Sequence, residues 1–305
     1  MSRIHDALRR AELERVSQAA KMDVKELAEL TADILLPSVA DGKSSDSPLR
    51  RNQVPDVRGT LSYEALAKIG AHSDWRIDPQ MSVFEGGDPG NAGAERFRTL
   101  RSRLCQVAKV RALRRVLITS SAPAEGKSFV AANLAQSFAR GRDCRVLLVD
   151  ADMRASRLHV ALGAQRTPGL TNYLRGETDE VSVIQIDSQK GFGFIPAGEV
   201  VSDPGELILG GRMKDLLDRV APAFDWVILD SPPALAVHDA SLLADLCDGV
   251  LFIVKAGGTD YDDVVKASSE FQSKNLLGVV LNQVEKADLY ENYYHGSESG
   301  GGQKK

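Results

Sequence analysis

Between Ser120 and Phe129 the chain reads SSAPAEGKSF, and further on two apolar runs, RVLLVDADMR and DWVILDSPP, each end in carboxylates. The first stretch nearly completes the pattern G-x-x-x-x-G-K-[ST], in which a glycine-rich turn presents backbone N–H groups to phosphate. Gly126, Lys127 and Ser128 supply its second half, and Ser121 stands where the first glycine belongs. In such a loop Lys127 reaches the β- and γ-phosphates, the Ser128 hydroxyl ligates Mg²⁺, and Gly126 lets the backbone come close. Ala124, Glu125 and Phe129 complete the candidate nucleotide-binding segment, so ATP and Mg²⁺ are the cofactors expected. A non-glycine residue forced into a left-handed turn costs about 1–2 kcal/mol. If Ser121 or Ala124 carried that cost, nucleotide binding would weaken about five- to thirtyfold.

A carboxylate at a strand end beside a phosphate loop is the usual holder of Mg²⁺, directly or through water. Asp152 and Asp230, with Ser128, are therefore the predicted metal ligands. That leaves Asp150 to orient or deprotonate a hydroxyl nucleophile, and Lys127, Asp150, Asp152 and Asp230 form the candidate catalytic set. A hydroxyl source is conspicuous. Of six tyrosines, Tyr290, Tyr293 and Tyr294 cluster in ADLYENYYHG, after the last apolar run and ahead of a low-complexity end, SESGGGQKK.

These residues need a scaffold that brings strand ends together. From VLIT onward, short β-branched runs alternate with helical stretches: RVLLVDAD, GFGFIPAG, DWVILDSPP, GVLFIVKAG and LLGVVLNQV. That alternation predicts an α/β fold with a doubly wound, mostly parallel sheet and helices on both faces, the phosphate loop filling the first strand-to-helix turn. Ahead of it, residues 93–115 read as a basic helix. Residues 1–36 space Ile4, Ala7, Leu8, Ala11 and Val16 as an amphipathic helical segment, and residues 37–80 read as a flexible linker rich in Ser, Pro, Asp and Arg. The nucleotide domain is expected over 81–288 and the tyrosine tail over 289–305.

Composition narrows the class. With 305 residues, 38 Lys and Arg against 42 Asp and Glu, and a net charge of −4, the chain has no surplus of positive charge for a nucleic-acid backbone. The spread of Cys105, Cys144 and Cys247 fits neither a metal site nor paired disulfides. No apolar run reaches the roughly 20 residues of a bilayer span, and a cytoplasmic protein is expected.

The trio of SSAPAEGKS, VDADMR and ILDSPP resembles the bacterial tyrosine kinases of capsule and exopolysaccharide export, over roughly residues 82–294. PGLTNYLRGE, IPAGEVVSDPGEL and GVVLNQV extend the likeness, and the start MSRIHDALRRAE is similar to the exosortase-associated subgroup. The resemblance implies a P-loop fold and an autokinase whose tail tyrosines are phosphorylated in trans. It also implies ring assembly through Glu95, Arg98 and Arg101, and an adenine contact from Asn282. The partners it implies are a membrane-embedded chain-length-determinant or activator protein and a cognate tyrosine phosphatase, with the chain peripheral at the inner membrane. Family members commonly carry glycine at the position of Ala124.

Two alternatives stand beside this reading. A partitioning or division-site ATPase of the same broad fold would carry a second lysine five positions before the loop lysine, where this chain has Ala122. A scaffold with a weakened loop would bind nucleotide and assemble export machinery without turning over.

Overall fold

Apolar runs bounded by turn residues become the strands of one sheet in the computed structural model, which describes residues 61–69, 71–72, 75–85, 91–187 and 191–284. The predicted N-terminal helical segment, most of the linker, and Tyr290, Tyr293 and Tyr294 lie outside the described residues. In chain order the elements are α1 (Tyr63–Ile69), β1 (Ala71–His72), α2 (Ala92–Val110), β2 (Arg115–Ser120), α3 (Lys127–Ala139), β3 (Val146–Asp150), α4 (Leu158–Leu162) and α5 (Leu170–Leu174). Then follow β4 (Gln185–Asp187), β5 (Phe192–Ile195), α6 (Pro204–Leu209), α7 (Arg212–Val220), β6 (Trp226–Asp230), α8 (Asp239–Ala244), β7 (Gly249–Lys255), α9 (Tyr261–Ser269) and β8 (Leu276–Asn282).

The eight strands lie in the order β1-β4-β5-β3-β6-β2-β7-β8. Every neighbouring pair is parallel except β4 with β5. From β2 the chain crosses through α3 to β3 on one side, and from β6 it crosses through α8 to β7 on the other, so the winding reverses beside β2. A crevice opens at that reversal outside the carboxyl ends of the strands. The loop after β2 and the end of β6 both sit there.

Alternating side chains divide the core into two layers. Leu117, Leu147, Val149, Val227, Leu229, Val250 and Phe252 face one side, against α5, α6, α7, α8 and α9. Val116, Ile118, Val146, Leu148, Ile228, Leu251 and Ile253 face the other, against α2, α3 and α4. Period-two alternation between two apolar layers is what a sheet covered on both faces requires, and the predicted doubly wound architecture is the one found.

Helix α3 is buried nearly all round because its alanines let it lie close to the sheet while α2 covers its back. Two of its polar residues tie it to the segment before α2: Asn133 accepts the Val83 N–H (2.8 Å) and donates to the Met81 carbonyl (3.0 Å), and Gln136 accepts the Ser82 hydroxyl (2.7 Å). Phe138 stacks on Trp226 at 4.3 Å between centroids. The helix that carries the loop lysine is thus fixed on three sides.

Two boundaries differ from the sequence reading. The span expected as linker over 37–80 includes packed residues: Leu66 of α1 is fully buried in the core, and the Trp75 and Phe192 rings meet edge to face with centroids 5.1 Å apart. Short elements flanked by polar residues carry too little periodicity to register, and tertiary burial supplies what local pattern lacks; β4 went unpredicted for the same reason. The basic helix ends at Val110 rather than 115, because Arg111 is extended and Asp248 draws the Arg114 and Arg115 N–H groups (2.8 and 2.7 Å) into the start of β2.

Candidate active site: a phosphate loop beside two buried carboxylates

The loop from Ser121 to Gly126 turns sharply between β2 and α3. Ala124 and Gly126 both have positive φ, 64° and 93°, so the peptide planes there alternate and form a concavity of N–H groups of the kind that binds anions. A Cβ at Gly126 would lie 2.0 Å from the Asn282 amide nitrogen and displace it, and at φ 93° only glycine is free of backbone strain. Ser121 is not among the residues with positive φ. Of the two departures from the pattern, the strain falls on Ala124 alone.

Each loop side chain has a definite post. Lys127 is nine-tenths buried at the first position of α3, where the helix leaves its first N–H groups without internal partners. Glu125 is buried, but its carboxylate turns away from the concavity, accepting the Ala122 N–H (2.7 Å) and the hydroxyls of Ser121 (3.5 Å) and Thr259. Phe129 packs 6.1 Å from the Phe97 ring in the layer between α2 and α3. The side chains of Glu125 and Phe129, both predicted to bind nucleotide, are thus engaged within the fold.

Asp150 and Asp230 end adjacent parallel strands as register partners. Both are buried. Burial pushes the Asp150 carboxyl well above the ordinary carboxylate range, and the neighbouring Asp230 charge pushes it further, while the Ser156 hydroxyl that it accepts pulls it back. Burial likewise raises Asp230, against the opposing pull of the Ser128 hydroxyl and the Lys127 ammonium. Lys127, Ser128, Asp150 and Asp152 thus gather around Asp230. Asp152 stands at the rim, half-buried, with its Oδ1 accepting the N–H groups of Arg154 (3.2 Å) and Ala155 (3.0 Å).

Whether these residues suit a divalent cation can be judged from Asp230. Its Oδ1 is buried and finds no hydrogen-bond partner among the described residues, an expensive state for a carboxylate oxygen that a cation beside Ser128 would relieve. Among the described residues no cluster of three His, Cys, Asp or Glu is arranged to hold a metal alone. One buried carboxylate beside one hydroxyl suits an ion that takes few protein ligands and completes its shell with phosphate and water, which is the habit of Mg²⁺.

Several residues essential to this geometry were not foreseen. Arg154 forks onto the buried Asp239 through Nε (2.8 Å) and Nη2 (3.1 Å) and donates to the Ser202 carbonyl (3.2 Å). It ties the loop after β3 to the start of α8. Ser156 and Thr259 are the others. The charged Arg154 two residues past Asp152 was visible in VDADMR, but its partner lies 85 positions away. Asn282, assigned an adenine contact by resemblance, donates its amide to the Glu125 carbonyl (2.9 Å). In α2, Glu95 and Arg98 pair with each other at 2.8 Å, whereas Arg101 donates to the Ser137 carbonyl of α3.

The fold and site together define a phosphate-loop nucleotide-binding protein, and the family described as CobQ/CobB/MinD/ParA nucleotide binding domain matches residues 116–300. Tyrosine-protein kinase YwqD of Bacillus subtilis is 33% identical over 221 residues, which cover 72% of this chain and 93% of that protein. Putative tyrosine-protein kinase EpsB of Ralstonia nicotianae is 36% identical over 239 residues, 75% of this chain but 31% of its own length. The solved kinase domain of Escherichia coli tyrosine kinase ETK superposes with a TM-score of 0.61 at 31% identity, covering 66% of this chain and 79% of that one. The chain belongs to the bacterial tyrosine-protein kinases. It spans nearly the whole of YwqD and about a third of EpsB. Among the described residues no helix is long and apolar enough to cross a membrane.

Proposed function

We propose that this chain is an ATP-dependent protein tyrosine autokinase that phosphorylates Tyr290, Tyr293 and Tyr294 of a neighbouring copy. The observation that carries the reading is the meeting of Lys127 and Ser128 with the paired Asp150 and Asp230 at the switch point of the sheet. Lys127 and the loop N–H groups would hold the phosphates, and Ser128, Asp230 and Asp152 would hold Mg²⁺, which supplies charge neutralisation. Asp150, raised by burial and by Asp230, is matched to taking the proton from a tyrosine hydroxyl. As the phenolic oxygen bonds to the γ-phosphorus, the bond from that phosphorus to the β-bridging oxygen breaks, and ADP leaves. Ala122, where a switch ATPase would have its second lysine, favours a protein acceptor over water.

Assembly into a ring is proposed through the exposed Glu95 and Arg98. Arg101 spans to α3 in this fold, and its part is to set the angle of α2 as much as to meet a neighbour. A membrane-embedded activator of an exopolysaccharide system is the proposed partner, with the chain held at the inner membrane through it, and a cognate phosphatase would reset the tail. The test mixes two variants, each unable to label itself. The Tyr290→Phe, Tyr293→Phe, Tyr294→Phe triple variant lacks acceptors, and Lys127→Met lacks phosphate contact. Mass spectrometry of the mixture with ATP should find phosphotyrosine on the Lys127→Met chain alone. Phosphate on the triple variant at the parent's level would sink the tail assignment.

A further inference from the structure

The phosphate loop is held from behind by three side chains that lie far from it in the chain. Thr259, in the turn between β7 and α9, donates its hydroxyl to the buried Glu125 carboxylate while accepting the Lys255 N–H (3.3 Å). Asn282, the last residue of β8, donates to the Glu125 carbonyl at 2.9 Å, and Gln283 donates to the Ala124 carbonyl at 3.1 Å. Two consecutive peptide carbonyls of the loop are thus gripped from the β7–β8 edge, and the side chain between them is gripped as well.

The consequence follows from peptide geometry. In a trans peptide the C=O and N–H point in opposite directions. Fixing the Ala124 carbonyl toward Gln283 aims the Glu125 N–H the opposite way, and fixing the Glu125 carbonyl toward Asn282 does the same for the Gly126 N–H. Neither N–H has an acceptor among the described residues. Both face the concavity between the left-handed residues Ala124 and Gly126. Asn282 occupies space that only a glycine at 126 leaves open, so the grip and the glycine are made for each other.

We infer that Thr259, Asn282 and Gln283 form a clasp that positions the Glu125 and Gly126 N–H groups for the nucleotide's phosphates, an inference that rests on the nucleotide-binding reading of the loop. They are positioning residues, acting through the loop's main chain. The clasp joins the edge strand from which the chain continues toward its tyrosines to the turn that meets phosphate. In the chain before any nucleotide is added, it keeps the turn in its binding shape.

The test uses the full chain and ADP with magnesium as the probe, read by calorimetry, together with amide hydrogen exchange across residues 122–126 without nucleotide. Thr259→Val keeps the shape of the side chain and removes the donor; Thr259→Ser restores it. Losing one hydrogen bond to a charged acceptor should weaken ADP by about tenfold and speed exchange at Ala122, whose N–H the Glu125 carboxylate accepts at 2.7 Å, while amides outside the loop stay protected. Thr259→Ser should return both to within about twofold of the parent. Gln283→Gly, at an exposed position with φ of 56° that glycine accepts, should weaken ADP in the same direction by releasing the Ala124 carbonyl. If Lys127→Met loses ADP binding but Thr259→Val binds within twofold of the parent with unchanged exchange, the clasp is overturned and the nucleotide site stands. If Lys127→Met binds ADP as the parent does, the nucleotide-binding reading itself falls, and the inference with it.

Discussion

Replacing Ala124 by glycine asks when the cost of its left-handed backbone is met, at folding or at nucleotide binding. At φ 64° an alanine carries about 1–2 kcal/mol of strain. Glycine removes it, but the freer unfolded chain takes back about 0.4–1 kcal/mol. Because the turn is held by the protein's own contacts from Thr259, Asn282 and Gln283, the strain belongs to the folded state as such. Ala124→Gly should therefore raise stability by about 1 kcal/mol, or about 2–4 °C in melting temperature for a domain of this size. ATP affinity should move by less than about twofold, since the strain is present on both sides of the binding equilibrium. Were the turn imposed only when phosphate arrives, the same substitution would leave stability flat or lower and tighten ATP about five- to thirtyfold. Urea unfolding monitored by circular dichroism and calorimetric titration with ATP and magnesium separate the cases. A tenfold gain in affinity without added stability would refute the reasoning and show that the loop is not preformed.

Three further outcomes follow from the site. Asp150→Asn should keep ADP affinity near the parent's while abolishing tail phosphorylation, and Asp230→Asn should lose the magnesium-dependent part of ADP binding, which titrations with and without magnesium would measure; equal losses of ADP affinity would undo that division of labour. Arg154→Lys cannot reproduce the fork onto Asp239, so it should cost about 1–2 kcal/mol in urea unfolding and loosen the loop after β3, and a stability equal to the parent's would show the fork to be idle.

Much of the site was legible in the chain because its parts are local. Gly126, Lys127 and Ser128 are neighbours at a strand-to-helix turn, and Asp150 and Asp230 announce themselves by ending apolar runs. Those runs are two-sided in their hydrophobicity, which is enough to call for a sheet buried on both faces. The order of the strands, which seats Asp150 beside Asp230, was not legible, since pairing joins residues 80 apart and depends on how helices fill both layers. Nor was the effect of that pairing on the two carboxyls, because burial exists only after packing.

What the sequence determined by itself, then, is the phosphate-binding turn, the carboxylates at strand ends and the class of sheet, since each depends on backbone chemistry within a few residues. Tertiary structure alone decided that Ala124 rather than Ser121 bears the left-handed turn, and that the side chains of Glu125 and Phe129 are engaged within the fold. It also decided that Leu66 and Trp75, inside the expected linker, pack into the core, and that Thr259, Asn282 and Gln283 reach a loop more than 130 positions earlier. Those outcomes rest on hydrogen bonds and close packing between distant segments. Such contacts leave no periodic trace in the chain, because one donor and one acceptor of common types are enough to make them.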